Sequence, residues 1–405
     1  MRVAVLGGGL QGCCIALALA DRGVKVTLFD KNESLLSRAA IANEGKIHLG
    51  YMYAGDPTLS TARTMMQGAL AFAPFFARHL GLTPERMTVS IPAAYVVHRD
   101  SQRGPEEISR YLAAVHRLVG EAADKCRDAY FGIDLGVALR EWTAAERDMA
   151  LNSDIALAAF DSPEVAINPI DLATALNARI AGAARIEVRL AHTVRSLQQN
   201  VRGVCVVSTG PQGASHDSYD HVVNALWDGR LAIDATLGHR PGRPWLHRLK
   251  YGISFRRPDI VRGRSVTIIL GPFGEVVSYP DGLAYLTWYP ECLQGMSGEL
   301  SPPDWVTYPP EPLRSRLLKG TLAALSDIVP SLRDLNPNEL SDVSVKGGVI
   351  VAWGQTDIDD PQSELHHRFE IGVTSAGRFH SVDPGKLTMA PYFADVCADR
   401  IAPIS

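Results

Sequence analysis

Short apolar runs and glycine turns alternate from the start of the chain. Residues 2–6 (RVAVL) are apolar, Gly7, Gly8, Gly9 and Gly12 follow, and CCIALALADRG reads as a helix. A second apolar run, Val24–Phe29, ends at Asp30. This pattern predicts strand, glycine turn, helix, strand, acid. Residues 60–80, 104–124 and 313–328 read as further helices, the last after a Pro-rich loop at 301–312. Between 250 and 290 lie YGISFR, SVTIIL, EVVSYP and LAYLTWYP, rich in β-branched and aromatic residues. They predict an antiparallel sheet with turns at Arg257-Pro258, Gly271-Pro272 and Pro280–Gly282. A last apolar helix runs to Ile401. The expected class is α/β, α+β overall: a Rossmann-like unit and a second unit on an antiparallel sheet.

The opening pattern carries chemistry. Gly7 permits a tight turn, Gly9 lets backbone approach a pyrophosphate, and Gly12 lets the helix pack close to the strand. The helix start at Leu10 and Gln11 presents free N–H groups and a positive dipole end to phosphates. Asp30, followed by Lys31, stands 18 residues after Gly12, where a carboxylate reaches ribose hydroxyls. The pattern points to an adenine dinucleotide. The acid suits FAD or NAD and disfavours NADP, whose 2′-phosphate it would repel.

Composition narrows the class. The 405 residues are 46% hydrophobic and 21% charged, with 40 basic and 44 acidic side chains. That balance gives no electrostatic case for nucleic acid or a membrane surface, and no apolar run is long enough to span a bilayer. The six cysteines, Cys13, Cys14, Cys126, Cys205, Cys292 and Cys397, form no CxxC pair. They read as free thiols in a reducing, cytoplasmic setting, and no metal site is expected.

After Asp30 the chain continues SRAAIANEGKIHLGYMYA (37–54), a loop of small and polar residues where an NAD dehydrogenase would start another βα unit. Here the sequence resembles the D-amino-acid oxidase superfamily of flavoenzymes, which includes glycine oxidase, glycerol-3-phosphate dehydrogenase and L-2-hydroxyglutarate dehydrogenase. NEGKIHLGYMY is most similar to the hydroxyglutarate type, and DPGKLTMAPYFA (383–394) to the C-terminal motif of the glycerol-phosphate type. The resemblance implies FAD as cofactor. It places Arg38 and Ala39 near the pyrophosphate and ribityl chain, and Asn43, Gly45, Lys46, Ile47 and His48 along the isoalloxazine. It places Gly385, Lys386, Leu387 and Thr388 at a helix start facing the flavin, and Val194 at the adenine. Asn224 and Ala225 end a strand that closes V-N-A-x-G in the family, where this chain has Leu226 for the glycine. The implied topology is interleaved: 1–80, 150–225 and 345–405 form the FAD domain, 81–149 and 226–344 the substrate domain.

Flavin oxidation of an alcohol or amine needs a base for the O–H or N–H proton and donors that hold the substrate. His48 is the first candidate base and His380 the second. Tyr285 and Tyr289 are candidate substrate donors. The family's G-x-R-P substrate loop falls at 345–368, where the arginine is absent, so Lys346 or Arg378 is the candidate anion clamp. The expected function is an FAD-dependent oxidase or dehydrogenase acting on CH–OH or CH–NH of a small molecule, with O2 or another carrier as electron acceptor. The alcohol is favoured because both end motifs resemble hydroxy-substrate relatives. A flavin monooxygenase of a biosynthetic pathway and an amine or amino-acid oxidase are the alternatives.

Overall fold

A computed structural model describes residues 1–82, 87–123, 129–257 and 264–403. Cys126, Pro258 and the residue-124 end of the helix expected over 104–124 lie outside the described residues. The opening pattern folds as β1 (Arg2–Leu6), α1 (Leu10–Asp21) and β2 (Lys25–Phe29). β1 and β2 pair in parallel, and the Gly7 amide donates to the Phe29 carbonyl at 2.8 Å. Gly7 has φ +101°, and a β-carbon there would lie 2.6 Å from the Ala225 carbonyl oxygen. At Gly12 a β-carbon would lie 1.8 Å from the Gly7 carbonyl oxygen. Its main close approach is therefore to the turn, and the Val5 side chain on the strand stands off at 3.4 Å.

The first sheet has six strands, in the order Gly372–Ala376, Phe379–Asp383, His221–Asn224, β1, β2, Ile186–Arg189. Five run parallel, and Gly372–Ala376 is an antiparallel edge. Apolar α1 is buried on this sheet and packs against the helices Ser60–Leu80 and Ala390–Ile401 in one core. A three-stranded antiparallel sheet, Thr193–Asn200, Gly203–Gly210 and Gly213–Tyr219, lies beside it.

The β-rich middle forms a nine-stranded sheet. Its strands include Ala93–His98, Trp245–Arg256, Ser265–Ile269, Gly274–Ser278 and Leu283–Trp288. Pairing is antiparallel except between Ser265–Ile269 and Ala93–His98. The strand Ala156–Asp161 and residues 345–353 of the strand Ser341–Trp353, grouped with the cofactor unit by sequence, pair in this sheet, with Ala93–His98 and Trp245–Arg256. Conversely, the helix Arg230–Thr236, grouped with the substrate unit, packs on Thr193–Asn200. The strands follow from backbone pairing, and the helix from packing of its apolar residues Leu231 and Ile233, which are buried. At the altered NALW turn, Leu226 keeps an ordinary φ of −74°. The left-handed position falls on Trp227 at φ +55°, anchored by its indole N–H donating to the Val349 carbonyl at 2.6 Å.

Because the atom facing Gly12 is backbone and cannot move aside, Gly12→Ala is expected to cost about 1–3 kcal/mol by overpacking. The thermal unfolding midpoint should fall by several degrees. An unchanged midpoint would mean the turn and helix are not in contact at this point.

Candidate active site

A cleft of about 530 Å³ is lined from both large sheets. At one end stand Gly7, Gly9, Leu10 and Gln11 of the β1–α1 turn, with Asp30, Lys31, Val194 and Ala225. A β-carbon on Gly9 would meet nothing within 4 Å, so this backbone faces open space at the start of α1. Gln11 donates to the Ala390 carbonyl at 3.0 Å and keeps its Oε1 unpartnered. Asp30 accepts from the Gly8 amide at 2.7 Å and from the Asn32 amide and side chain, each at 2.7 Å. A carboxylate has about four lone-pair sites, so one remains for a ligand. Open glycine backbone, free amides and a carboxylate suit a dinucleotide's phosphates and ribose.

The middle of the cleft is floored by residues 36–48. Arg38 pairs with Asp228 at 2.9 Å. Asn43 donates to the Ala39 and Ala40 carbonyls and accepts from the Gly45 amide, which folds the loop on itself. Then the chain dives inward. The Lys46 ammonium is buried against Glu275 and Thr267. Burial alone would lower its pKa, but Glu275 and Glu164 outweigh this and raise it.

His48 lines the cleft and is 1% exposed. Its amide donates to Thr388 Oγ1 at 3.0 Å, and Thr388 donates in turn to the Lys46 carbonyl at 3.2 Å. Its Nδ1 lies 3.2 Å from Glu164 Oε1, and its Nε2 is buried with no partner. Tyr53 packs edge-on against the ring. Burial lowers the His48 pKa below the usual imidazole range, and the positive charges of Lys386 and Lys46 add to this, whereas Glu164 opposes it.

Lys386 reaches the cleft from the C-terminal turn, beside Gly385 and Leu387. Burial and the Arg368 guanidinium bring its pKa down to about 8, despite Glu44. Burial would raise the Glu44 carboxyl, but Lys386 and Lys250 hold it well below the usual carboxylate range. Lys250 and Tyr285 complete this end.

Several predicted residues stand elsewhere. Gly12, Gly45, Ile47, Asn224 and Thr388 do not line the cleft. A β-carbon on Gly45 would strike the Ile167 carbonyl oxygen at 1.9 Å. Ile47 is held by Val165 and Tyr130, and Asn224 by Arg230 and Asp234. Of the candidate bases, donors and clamps, His48 and Tyr285 line the cleft. His380 stacks on His221, 3.1 Å between ring nitrogens, and burial beside His221 lowers its pKa to about 4. Arg378 donates to the Asp220 carbonyl. Lys346 lines a small pocket behind Tyr285. Tyr289 donates to Asp357, itself paired with buried Arg248. Sequence reasoning passed over Glu164, Glu44, Lys250 and Arg368. A glutamate opening the apolar run VAI and a lysine inside LKYGISF were the available signals.

The sequence matches the profile of the FAD-dependent oxidoreductase (DAO) family over residues 2–391. Among curated proteins, glycerol 3-phosphate oxidase of Mycoplasma pneumoniae is 30% identical over 98 residues, 24% of this chain and 25% of that one. Kynurenine 3-monooxygenase of Yarrowia lipolytica is 42% identical over 66 residues, 16% of this chain and 14% of that one. These alignments thus span a quarter or less of the curated relatives. Among solved structures, glycine oxidase from Geobacillus kaustophilus superposes with TM-score 0.69 at 17% identity, covering 98% of this chain and 94% of that one. The FAD-bound glycerophosphate oxidase of Mycoplasma pneumoniae gives 0.65 at 17%, covering 100% and 95%. The fold is that of these flavoenzymes, and the chain belongs to the DAO family of FAD-dependent oxidoreductases, with FAD as its cofactor.

Proposed function

We propose that this enzyme oxidises the CH–OH carbon of a small molecule carrying an anionic group, with His48 as the base. The observation that carries the reading is the unpartnered, buried Nε2 of His48 on a ring that lines the cleft. An alcohol must surrender its O–H proton as its carbon is oxidised, and a neutral imidazole accepts it. Lys250 and Lys386 line this end with no ion pair among the described residues, against one carboxylate, Glu44, and Arg368 stands behind them with its guanidinium donating to the Gly385 carbonyl at 3.2 Å. That surplus suits an anionic substrate group and replaces the clamp sought at Lys346 and Arg378.

Gly7 to Gln11, Asp30, Val194 and Ala225 would hold the dinucleotide part of FAD. Arg38, Asn43 and the Gly385–Leu387 turn would hold the flavin part. When bound, FAD supplies the hydride acceptor. The five described cysteines are free thiols, which fits a reducing, cytoplasmic compartment, and no described helix is long and apolar enough to cross a membrane. Glu44 favours a second reading, since a half-buried carboxylate in the cleft can hold a substrate ammonium. An amine oxidase would use it so.

Anaerobic mixing with panels of hydroxy acids, sugar acids and amines discriminates the two readings. Flavin bleaching by acidic alcohols is expected, and bleaching by amines alone would reject the alcohol reading. With the active alcohol, His48→Gln should slow flavin reduction by about 10²–10⁴-fold. In the wild type, the rate should rise with pH through a limb below the ordinary imidazole value of about 6.5, because burial favours the neutral ring. A limb above that value would contradict the assignment. Gly9→Val, which fills the open cradle, should yield protein without visible flavin absorption but with wild-type far-UV circular dichroism. A flavin-loaded Gly9→Val would place the pyrophosphate elsewhere.

A further inference from the structure

We propose that Glu164 is a positioning residue for His48, fixing the imidazole as its Nδ1–H tautomer and compensating the imidazolium formed on proton uptake. The proposal rests on the reading of His48 as base. A carboxylate only accepts, so the nitrogen facing it must carry the hydrogen. In the neutral ring that leaves Nε2 bare, and Nε2 is the nitrogen without a partner. As a substrate O–H bond breaks, its proton passes to Nε2 and the ring becomes a cation, while Glu164 stays an anion.

The site is built to keep Glu164 there and ionised. Its side chain is fully buried. Its backbone is clamped, since its carbonyl accepts from the Ala93 amide at 2.8 Å and its amide donates to Ser162 Oγ at 3.3 Å. The Leu49 amide donates to Oε2 at 2.7 Å, and the Tyr95 hydroxyl to Oε1. Burial would raise the carboxyl, but the His48 hydrogen bond and charge, Lys46 and the Tyr95 hydroxyl overcome this and hold it below its usual range. Structure alone gives little reason to bury a carboxylate against a histidine, because an apolar pair of the same volume is at least as stable. The His48 backbone amide is tied to Thr388, and the ring packs edge-to-face with Tyr53. The charges around His48 are Glu164 from the loop after Ala156–Asp161, Lys46 and Glu44 on its own segment, and Lys386 from the C-terminal turn. Glu164 is the one that hydrogen-bonds the ring.

The test is long-range proton–nitrogen correlation NMR on the FAD-loaded enzyme with ¹⁵N-labelled histidines, with His48 assigned by its absence in His48→Gln. Wild type should show the Nδ1–H tautomer near neutral pH. Glu164→Gln removes the anion, so the His48 titration should move to lower pH by about one unit or more and the tautomer should become mixed. Tyr95→Phe, a milder change, should move the titration upward by leaving the carboxylate less shared. A wild-type Nε2–H tautomer, or a titration that neither variant moves, overturns the proposal, and the wild-type spectrum decides even if Glu164→Gln fails to fold. Flavin reduction by the active alcohol should fall about 10²–10⁴-fold in Glu164→Gln, by analogy with loss of a triad carboxylate, mainly in kcat. Undiminished reduction in His48→Gln would instead overturn the base assignment, separately from the tautomer result.

Discussion

Five consecutive residues, Gly45 to Leu49, run buried through the protein with no sheet of their own. Buried backbone and side-chain polar groups must find partners, and here the partners come from several distant parts of the chain. Ile47 bonds to Val165 and Tyr130, His48 to Thr388 and Glu164, Leu49 to Glu164, and Lys46 to Glu275. Satisfying this one segment ties the C-terminal turn, the loop after Ala156–Asp161 and the nine-stranded sheet together. It also sets where the cleft's floor lies, so the reacting end is a by-product of how the segment is paired.

The cofactor end was the legible part of the sequence. Gly7, Gly9 and Asp30 line one end of the cleft together, and short-range spacing of that kind is what a sequence displays. The helices at 60–80 and 313–328 were legible for the same reason, since their periodicity is local. The reacting end was not. Glu164 and His48 are 116 residues apart, and no pattern in one dimension announces a pairing decided by where two strands end. His380 and Arg378 looked suitable because they precede the GKLT turn. In the fold they lie on or beside a strand paired with His221–Asn224, and the pleat turns His380 toward His221. The missing arginine was visible, but the lysines proposed in its place sit on another strand (Lys250) and within the C-terminal turn (Lys386).

Charge in the interior is distributed by need. Lys46 and Glu275 cancel, as do Arg248 and Asp357. Such pairs hold geometry but have little attraction left for a ligand. Lys250, Lys386 and Glu44 line the cleft with no ion pair among the described residues; the two lysines hold the Glu44 carboxyl low against burial, whereas burial and Arg368 lower the Lys386 pKa. Fastening charges are thus separate from the charges proposed to receive a ligand.

The parallel sheet has an implication for how the molecule comes to exist. β1 pairs with His221–Asn224, which pairs with Phe379–Asp383. During synthesis the first strand waits for more than half the chain before its second neighbour emerges, and longer for the turn at Gly385. Such non-local pairing slows folding. The nucleotide fingerprint at residue 7 is made early, but its cleft closes only once the turn at Gly385 has emerged. A dinucleotide can be enclosed only after that turn has packed.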